Sequence, residues 1–244
     1  MGLFSKLFGQ SDKSAPADNQ TAQQELAPCK TKQELLERFG GIALDKQIDF
    51  GEVIGNNPYK VVIAKGTISF GQEFTFPMQV LGTISHSSQT WLWAWANTIS
   101  GFSENIIQQS LQLKKYGEDN GIDLLSSKTF DFSKHELHFI GMIASGMFNL
   151  SGYYIADYGQ GAMLVTIKSD TIDKAKTENH QRVLTLFPQL ISKFEMNHKN
   201  AFKSYLIFKG YKLSESENSV TGSKNGNSVT GQFDHLSRLT KLNG

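Results

Sequence analysis

The sequence is poor in several residue types that dedicated chemistries need. It has a single cysteine, Cys29, which excludes an intrachain disulfide and a four-cysteine zinc site. Its 24 basic residues include only three arginines, Arg38, Arg182 and Arg238, and arginine is the side chain best suited to bidentate contacts with phosphate and guanine. With a formal net charge of +1, the chain lacks the strong positive field of a nucleic-acid-binding protein. We therefore expect no nucleic-acid partner.

Long apolar segments are also missing. No stretch approaches the roughly 18 consecutive apolar residues of a transmembrane helix. The first residues, MGLFSKLFGQ, are interrupted by polar side chains, whereas a signal peptide needs an apolar run of about 7–15 residues. Residues 1–29 are otherwise polar and predict a flexible N-terminal tail that includes Cys29. Together these features predict a cytoplasmic protein with no membrane partner.

The remainder, residues 30–244, predicts a single α+β domain. Helix and strand signals are grouped along the chain rather than strictly alternating, which favours an α+β fold over a doubly wound parallel sheet. We expect an antiparallel sheet of about seven strands, with helices packed mainly on one face and a β-hairpin at the C-terminal end.

The first helix is predicted within TKQELLERFGGIAL. Thr31 and Glu34 have the spacing of a capping box, which satisfies two backbone donors at a helix start. Apolar residues follow at helical spacing. Gly40 and Gly41 are candidates to end this helix early.

Three further segments carry helix signals. In SENIIQQSLQLKKYGEDNG, Ser103 is a candidate N-cap and Gly117 a candidate stop. Ser133 begins a second capping box in SKHELHFIGMIASGMF. A long helical stretch over about 173–209 contains Pro188, which removes a helix hydrogen bond and therefore predicts a division there.

Strand signals occupy the remaining segments. EFTFPMQVLGTIS contains Pro77, which cannot donate a hydrogen bond, so this strand should be an edge or carry a bulge. GYYIADYGQGAMLVTIKS predicts a hairpin that turns near Gly159–Gly161. The pentapeptide NSVTG occurs at Asn218–Gly222 and at Asn227–Gly231. The Asn225-Gly226 pair between the copies favours a type I′ turn, and the polar composition predicts an exposed edge ribbon.

All three tryptophans lie within TWLWAWAN. Strand periodicity would place Trp91, Trp93 and Trp95 on one face. Because indole rings are usually largely buried, we predict a structural core role for these three residues. The alternative is a platform that stacks against a ligand.

No catalytic or cofactor motif is complete. KHELH places His135 and His138 three residues apart around Glu136, but it is not the H-E-x-x-H pattern of zinc proteases. YGQGA lacks the third glycine of a dinucleotide-binding loop. The sequence therefore predicts no catalytic residue, no metal and no cofactor.

Two groups of residues have the composition of protein-docking surfaces. YGEDNG is predicted to be an acidic loop, and three tyrosines surround the hairpin described above. Tyrosines near flexible acidic loops are common in protein interfaces. The predicted partner-binding residues are Tyr116, Glu118, Asp119, Tyr153, Tyr154 and Tyr158.

The stretch HSSQTWLWAWAN, followed by a helix that begins near SENI, resembles an uncharacterised bacterial family of unknown function with a W-L-W-A-W-A-N strand motif. The resemblance covers about Thr31 to Lys212, and the C-terminal NSVTG repeat is outside the pattern. It implies a toxin-associated immunity protein that binds and neutralises a cognate toxin, such as a type VI or other polymorphic-toxin effector. It implies no catalytic residues. A small-molecule-binding protein with a Trp-lined pocket, or a metal-dependent hydrolase that uses His135, Glu136 and His138, are the alternatives.

Overall fold

The computed structural model describes residues 27–131, 134–175 and 179–244. The described residues form seven α-helices and two antiparallel sheets. The helices are α1 (Lys32–Ile54), α2 (Gln108–Asn120), α3 (Asp123–Ser126), α4 (Lys134–Met147), α5 (Asp170–Ala175), α6 (Gln181–Lys193) and α7 (His198–Phe208). The first sheet contains β1 (Tyr59–Val62), β2 (Thr67–Phe70), β3 (Phe74–Ser85), β4 (Thr90–Trp93), β5 (Thr129–Asp131), β6 (Gly152–Asp157) and β7 (Gly161–Ile167). The second contains β8 (Lys212–Glu215), β9 (Ser219–Lys224), β10 (Asn227–Phe233) and β11 (Leu239–Asn243). The predicted α+β class and seven-stranded antiparallel sheet are confirmed, whereas the second sheet was not expected beyond one hairpin.

Helix α1 runs unbroken through Gly40 and Gly41. The Oγ1 atom of Thr31 accepts a hydrogen bond from the N–H of Glu34 at 3.1 Å, as the capping box predicts. The expected early end at Gly40 and Gly41 is wrong. A Cβ atom at Gly41 would lie only 2.6 Å from the side chain of Tyr205 on α7, so the glycines allow α7 to approach α1 closely. Tertiary packing here outweighs the low helix propensity of glycine.

Helix α2 also continues past the predicted stop. It begins only at Gln108, after a separate 3₁₀ turn, and Ser103 makes no side-chain capping bond. The helix passes through Gly117, where a Cβ atom would lie 2.6 Å from Leu125. It ends at Gly121, whose φ of 70° suits glycine. The predicted acidic loop is therefore the last turn of α2.

Pro188 lies inside α6 and does not divide the C-terminal helices. The division falls later, at residues 194–197. There the side chain of Asn197 accepts the N–H of Asn200 and caps α7. Glu37 of α1 reinforces this cap, because its carboxylate accepts the N–H of Asn197 at 2.8 Å. The break is set by this cap and its contact with α1 rather than by the proline.

Strand β3 is the central strand of the first sheet and pairs with β2, β4 and β7. A bulge interrupts its pairing with β7 between Val80 and Gly82. The bulge moves alternate side chains to the opposite face, so that Val80 and Ile84 belong to different cores. Pro77 lies just before the pairing with β7 begins at Met78. The strand therefore carries the predicted bulge but is not an edge.

The two faces of the first sheet contribute to two hydrophobic cores. The first core packs one face against α1, α2 and α4 and contains Trp91 and Trp93. The second core lies on the other face and is enclosed by β1, β2, β3, β6 and β7 with the end of α1, including Phe50 and Phe70. Helices α1, α2 and α4 therefore pack on one face of the first sheet.

Side chains protect the outer edge of β6. The amide of Gln47 on α1 donates to the carbonyl of Tyr153 at 2.9 Å and accepts its N–H at 3.1 Å. The hydroxyl of Tyr59 on β1 donates to the carbonyl of Asp157. The sheet therefore curls until β1 approaches β6, and both strand edges meet there.

The NSVTG repeat forms the centre of the second sheet. Its two copies pair in β9 and β10 around the predicted Asn225-Gly226 turn, whose φ angles of 51° and 81° are both positive. The register places Val220 opposite Gly231 and Gly222 opposite Val229. Both valines are fully buried, so the expectation of an exposed ribbon is wrong.

The repeat is buried because α7 lies on it. A Cβ atom at Gly222 would stand 2.8 Å from Leu206, and one at Gly231 would stand 3.0 Å from Phe202. Each copy therefore supplies one valine that packs and one glycine that makes room for a larger side chain of α7. Composition suggested a polar ribbon, but alternation places the apolar valines on one face.

We expect Gly222→Val to lower the free energy of unfolding by about 1–3 kcal/mol, because the new side chain would collide with Leu206. Urea denaturation measures this change. Ser223→Val is the matched control: Ser223 is exposed on the same strand, and this change should alter stability by no more than about 0.5 kcal/mol. Equal losses in both variants would contradict the close packing of α7 against Gly222.

The described residues include the last three positions of the predicted N-terminal tail, residues 27–29. Cys29 is 1% exposed, and its N–H donates to the hydroxyl of Tyr116 at 2.8 Å. Burial raises the pKa of the Cys29 thiol. The expectation that Cys29 belongs to a mobile tail is wrong, and the remainder of the predicted tail, residues 1–26, lies outside the described residues.

Candidate functional site

The tryptophan segment is divided between a strand and a turn. Trp91 and Trp93 lie in β4, are fully buried, and meet edge to face with ring centroids 5.3 Å apart. Trp95 lies in a 3₁₀ turn after the strand and is half-buried, with the Nζ atom of Lys114 4.7 Å from its ring centroid. The prediction that all three rings share one strand face is therefore wrong for Trp95.

Among the clefts of the described surface, two bear on the predicted Trp-lined pocket. A groove of 590 Å³ follows the connection between α6 and α7, with Phe194, Met196 and His198 in its wall. A cleft of 170 Å³ lies between Lys46 and Lys168 and has polar walls. Neither cleft is lined by a tryptophan, so neither provides the Trp-lined pocket of the small-molecule alternative.

The histidine motif lies at the start of α4. Ser133 and the side chain of His135 are outside the described residues. The Nδ1 atom of His138 lies 2.9 Å from the hydroxyl of Tyr153 on β6, so this histidine joins α4 to the sheet. In the described part of the chain, no three histidine, cysteine or carboxylate side chains are placed to share a metal ion.

The residues predicted from YGEDNG do not lie on one surface. Tyr116 is 9% exposed and belongs to the first core. Glu118 and Asp119 lie on the outer side of α2, where they form ion pairs with Lys114 at 3.5 Å and Lys115 at 3.0 Å. Pairs of this spacing stabilise an exposed helix modestly. The tyrosine and the two carboxylates therefore do not form the predicted docking group.

The three hairpin tyrosines are divided between the two faces of the sheet. Tyr153 points into the first core, where its ring occupies the space that a Cβ atom at Gly141 would need. Burial raises the pKa of Tyr153 strongly. Tyr154 packs against the second core, and Tyr158 lies at the tip of the same hairpin with 57% of its surface exposed.

A rim of tyrosines, Tyr59, Tyr154 and Tyr158, borders the second core at the hairpin tip. The ring centroids of Tyr59 and Tyr154 are 5.0 Å apart. Tyr158 folds over Gly161, whose missing Cβ atom would lie 2.6 Å from the phenolic oxygen. Burial, together with the nearby charge of Asp157, raises the pKa of Tyr59 and of Tyr158. Both hydroxyls therefore remain protonated hydrogen-bond donors at neutral pH.

The hairpin tip is tied to the end of β3. The Nδ1 atom of His86 lies 3.1 Å from the carbonyl oxygen of Gly159, and its Nε2 atom lies 3.6 Å from a carboxylate oxygen of Asp157. The N–H of Gly159 donates to the same carboxylate group at 2.9 Å. These contacts fix the turn that carries Tyr158.

One face of the first sheet is partly open next to this rim. Five residues, each paired directly with the next across neighbouring strands, form a row over β5, β4, β3, β7 and β6. In that order they are Thr129, Leu92, Thr83, Met163 and Ala156. The row is exposed at β5, half-buried at β4 and β3, and buried at β7 and β6. Its side chains point away from the tryptophan core, because their strand neighbours belong to that core.

The loop that follows the tryptophan segment lies against this row. The side chain of Asn97, the last residue of the WAWAN motif, accepts the N–H of Ser100 at 3.0 Å and lies 3.4 Å from the hydroxyl of Thr83. Ile99, within this loop, is 95% exposed. We call Thr83, Leu92 and Thr129, together with Ile99 and Tyr158, the open face.

The open face combines exposed apolar groups with hydroxyl donors and acceptors. Such a mixture, presented on a fixed sheet, suits contact with another protein. Sequence patterns indicated Tyr158, but they gave no signal for Tyr59, which belongs to no motif, or for Ile99, which follows the tryptophan motif by two residues. Exposure of a β-branched side chain can be recognised only from the fold.

Among the described residues, no helix combines the length and apolar character needed to cross a bilayer. The sequence model of a family described as "Family of unknown function (DUF6882)" matches residues 33–169. This range is more than half of the chain and holds the whole seven-stranded sheet and the open face. It agrees with the predicted resemblance to an uncharacterised domain, but it carries no activity or partner. No curated protein and no solved structure matches the chain.

Proposed function

Because the chain belongs to the family of unknown function DUF6882, which carries no assigned activity, we propose a function from its surface. The protein is a non-enzymatic cytoplasmic immunity protein that binds and neutralises a cognate bacterial toxin. The toxin is a type VI or other polymorphic-toxin effector. The open face is the surface that contacts it.

The single observation that carries this proposal is the exposure of Ile99 and Tyr158 on fixed turns. Ile99 is 95% and Tyr158 57% exposed, although single large apolar side chains gain free energy when they are buried. Tyrosine is enriched among the residues that dominate binding energy. Ile99 lies in the loop that Asn97 ties to Thr83, and Tyr158 folds over Gly161, two residues before Met163, so each lies near this row of the first sheet.

The local geometry also favours tight binding. Asn97 holds the Ile99 loop, and His86 holds the hairpin tip that carries Tyr158. A turn whose backbone is already held in place loses little conformational freedom on binding. An inhibitor that acts by blocking another protein needs this kind of rigid, complementary surface rather than an active site.

The buried tryptophans support a scaffold role for the motif that carries the family resemblance. Trp91 and Trp93 are 0% exposed, so their rings pack the core instead of meeting a ligand at the surface. Their burial holds β4 in place, and β4 contributes Leu92 to the open face. The tryptophan motif therefore positions the open face from the opposite side of the first sheet.

The proposal predicts rescue of cells from a toxin encoded beside this gene. Co-expression should restore growth, and the two proteins should elute together on size-exclusion chromatography. Tyr158→Ala and Ile99→Asp should each weaken the complex by about tenfold or more, as loss of a central contact does. Isothermal titration calorimetry measures the change.

Ile207→Asp provides a matched control for the two variants. Ile207 is also an exposed isoleucine, at 47%, but it lies on α7 away from the open face. Its replacement should leave the affinity within about twofold of the wild type. If the neighbouring gene product neither forms a complex nor is neutralised, the proposed function is wrong. If Ile207→Asp weakens binding as much as Ile99→Asp, the open face is not the contact surface.

A further inference from the structure

We infer that the partner adds an extended strand to the edge of β5, in addition to covering the open face. This inference rests on the proposed function. It assigns a backbone recognition mode, in which main-chain hydrogen bonds supply affinity and alternate side chains supply specificity. The occupant is an extended segment of the toxin.

The register shows which groups of β5 face outward. The N–H of Trp93 donates to the carbonyl oxygen of Lys128 at 3.2 Å. In an antiparallel pair, residues that exchange hydrogen bonds alternate with residues that do not. Lys128 and Phe130 therefore direct their backbone groups towards β4, and Thr129 and Asp131 direct theirs away from it.

These outward groups are accessible. Thr129 and Asp131 are both exposed, while Phe130 between them is half-buried. Across residues 27–131, 134–175 and 179–244, no backbone hydrogen bond satisfies the N–H or C=O of Thr129 or Asp131. An added strand would find two donors and two acceptors there at the spacing of a sheet.

The other edges of the first sheet are less suitable. The edge of β6 is occupied by the side chains of Gln47 and Tyr59, which bond to its backbone. The edge of β1 is turned towards β6 by the curl of the sheet, as the ring contact between Tyr59 and Tyr154 shows. Edge strands left open are ready templates for pairing, and β5 is the edge that also adjoins the open row.

The side chains of β5 define the chemistry of the added strand. Asp131 and Thr129 lie on the open face, so the residue of the partner opposite Asp131 should be Lys or Arg. The next residue of the partner would lie opposite Phe130, which packs against the first core, and should be apolar. The expected segment therefore alternates basic or polar residues with apolar ones.

Thr129→Pro tests the backbone contact directly. Proline removes the outward N–H of Thr129 but leaves the bonds between β5 and β4, and it should weaken binding of the protein encoded by the adjacent gene about tenfold or more. Thr129→Val is the matched control. It also loses the hydroxyl that donates to the carbonyl oxygen of Trp91 at 2.6 Å, yet it keeps the N–H. Its affinity should stay within about twofold of the wild type.

Amide hydrogen exchange of the wild-type protein provides a second measurement that does not depend on how well a variant folds. Exchange at Thr129 and Asp131 should slow when the adjacent-gene protein binds, while exchange at Val61, whose N–H faces away from β2 on the edge of β1, should not change. A complex that leaves both amides unprotected, or that binds Thr129→Pro and Thr129→Val equally, overturns this inference and leaves the proposed function standing. Failure of the wild-type protein to bind overturns both.

Discussion

Replacing Arg182 with methionine is expected to lower the free energy of unfolding by about 3 kcal/mol, because it removes the guanidinium that the buried carboxylates of Asp45 and Asp49 share, while Asp45 keeps its ion pair with Lys209. The side chain of Arg182 on α6 is 11% exposed and bonds to Asp49 and, at 3.4 Å, to Asp45 on α1. Burial opposes the charge of Arg182, but the hydrogen bond and charge of Asp49, with the charges of Asp45 and Glu52, outweigh it and raise its pKa. Urea denaturation at neutral pH measures the loss.

Arg238→Met is the matched control. Arg238 also pairs with an aspartate, Asp234 at 2.7 Å, but its side chain is 62% exposed. Exposed pairs contribute about 0–1 kcal/mol, so this variant should remain close to the wild type. Adding Asp49→Asn to Arg182→Met should recover part of the loss, whereas Asp45 is left unchanged because it still pairs with Lys209. Equal stability of the two arginine variants, or no recovery, would show that the buried charges are not coupled as described.

Trp93→Ala is expected to lower the free energy of unfolding by about 3–5 kcal/mol, because it creates a large cavity in the first core. Trp93 is 0% exposed, and its indole N–H donates to the carbonyl oxygen of Leu124 at 3.1 Å. Removal of the ring therefore also leaves this acceptor unsatisfied. Thermal unfolding followed by near-ultraviolet circular dichroism measures the change and reports the loss of ordered indole packing.

Trp95→Ala separates the effect of burial from that of tryptophan removal. Trp95 lies two residues further on, is half-buried, and contacts Lys114 rather than the centre of the core. Its replacement should cost clearly less than that of Trp93, because less apolar surface returns to water. A larger loss at Trp95 would contradict the division of the motif between a strand and a turn.

Local patterns predicted the parts of the fold that short segments determine. The capping box at Thr31, the Asn225-Gly226 turn and the hairpin at Gly159–Gly161 are all in place, because each depends on residues close together in sequence. Three of the predictions that failed concern helix ends. Gly41, Gly117 and Pro188 are breakers by propensity, yet contacts from distant helices or caps decide where these helices stop.

The candidate site was less predictable. Tyr154 and Tyr158 were identified near the right hairpin, but their neighbour Tyr153 points to the opposite face because side chains alternate along β6. Tyr116 bonds to Cys29, 87 residues away in sequence, and no local pattern reports such a pairing. Ile99 is exposed in a turn that Asn97 closes by accepting the N–H of Ser100. Whether a given side chain is exposed depends on the assembled sheet, so a single sequence does not predict it.

The ion pairs of Arg182 cross from the segment that follows residue 169 to the helix that opens the family match. An excised fragment of residues 33–169 would thus expose Asp45, Asp49 and Gly41 to water, because Arg182 and Tyr205 would be absent. It would also expose the apolar side of α1 that α7 covers. Such a fragment would present apolar and acidic side chains along α1 and would be prone to aggregate. A relative reduced to that portion would need another segment of its own, or a neighbouring subunit, to cover this side of α1.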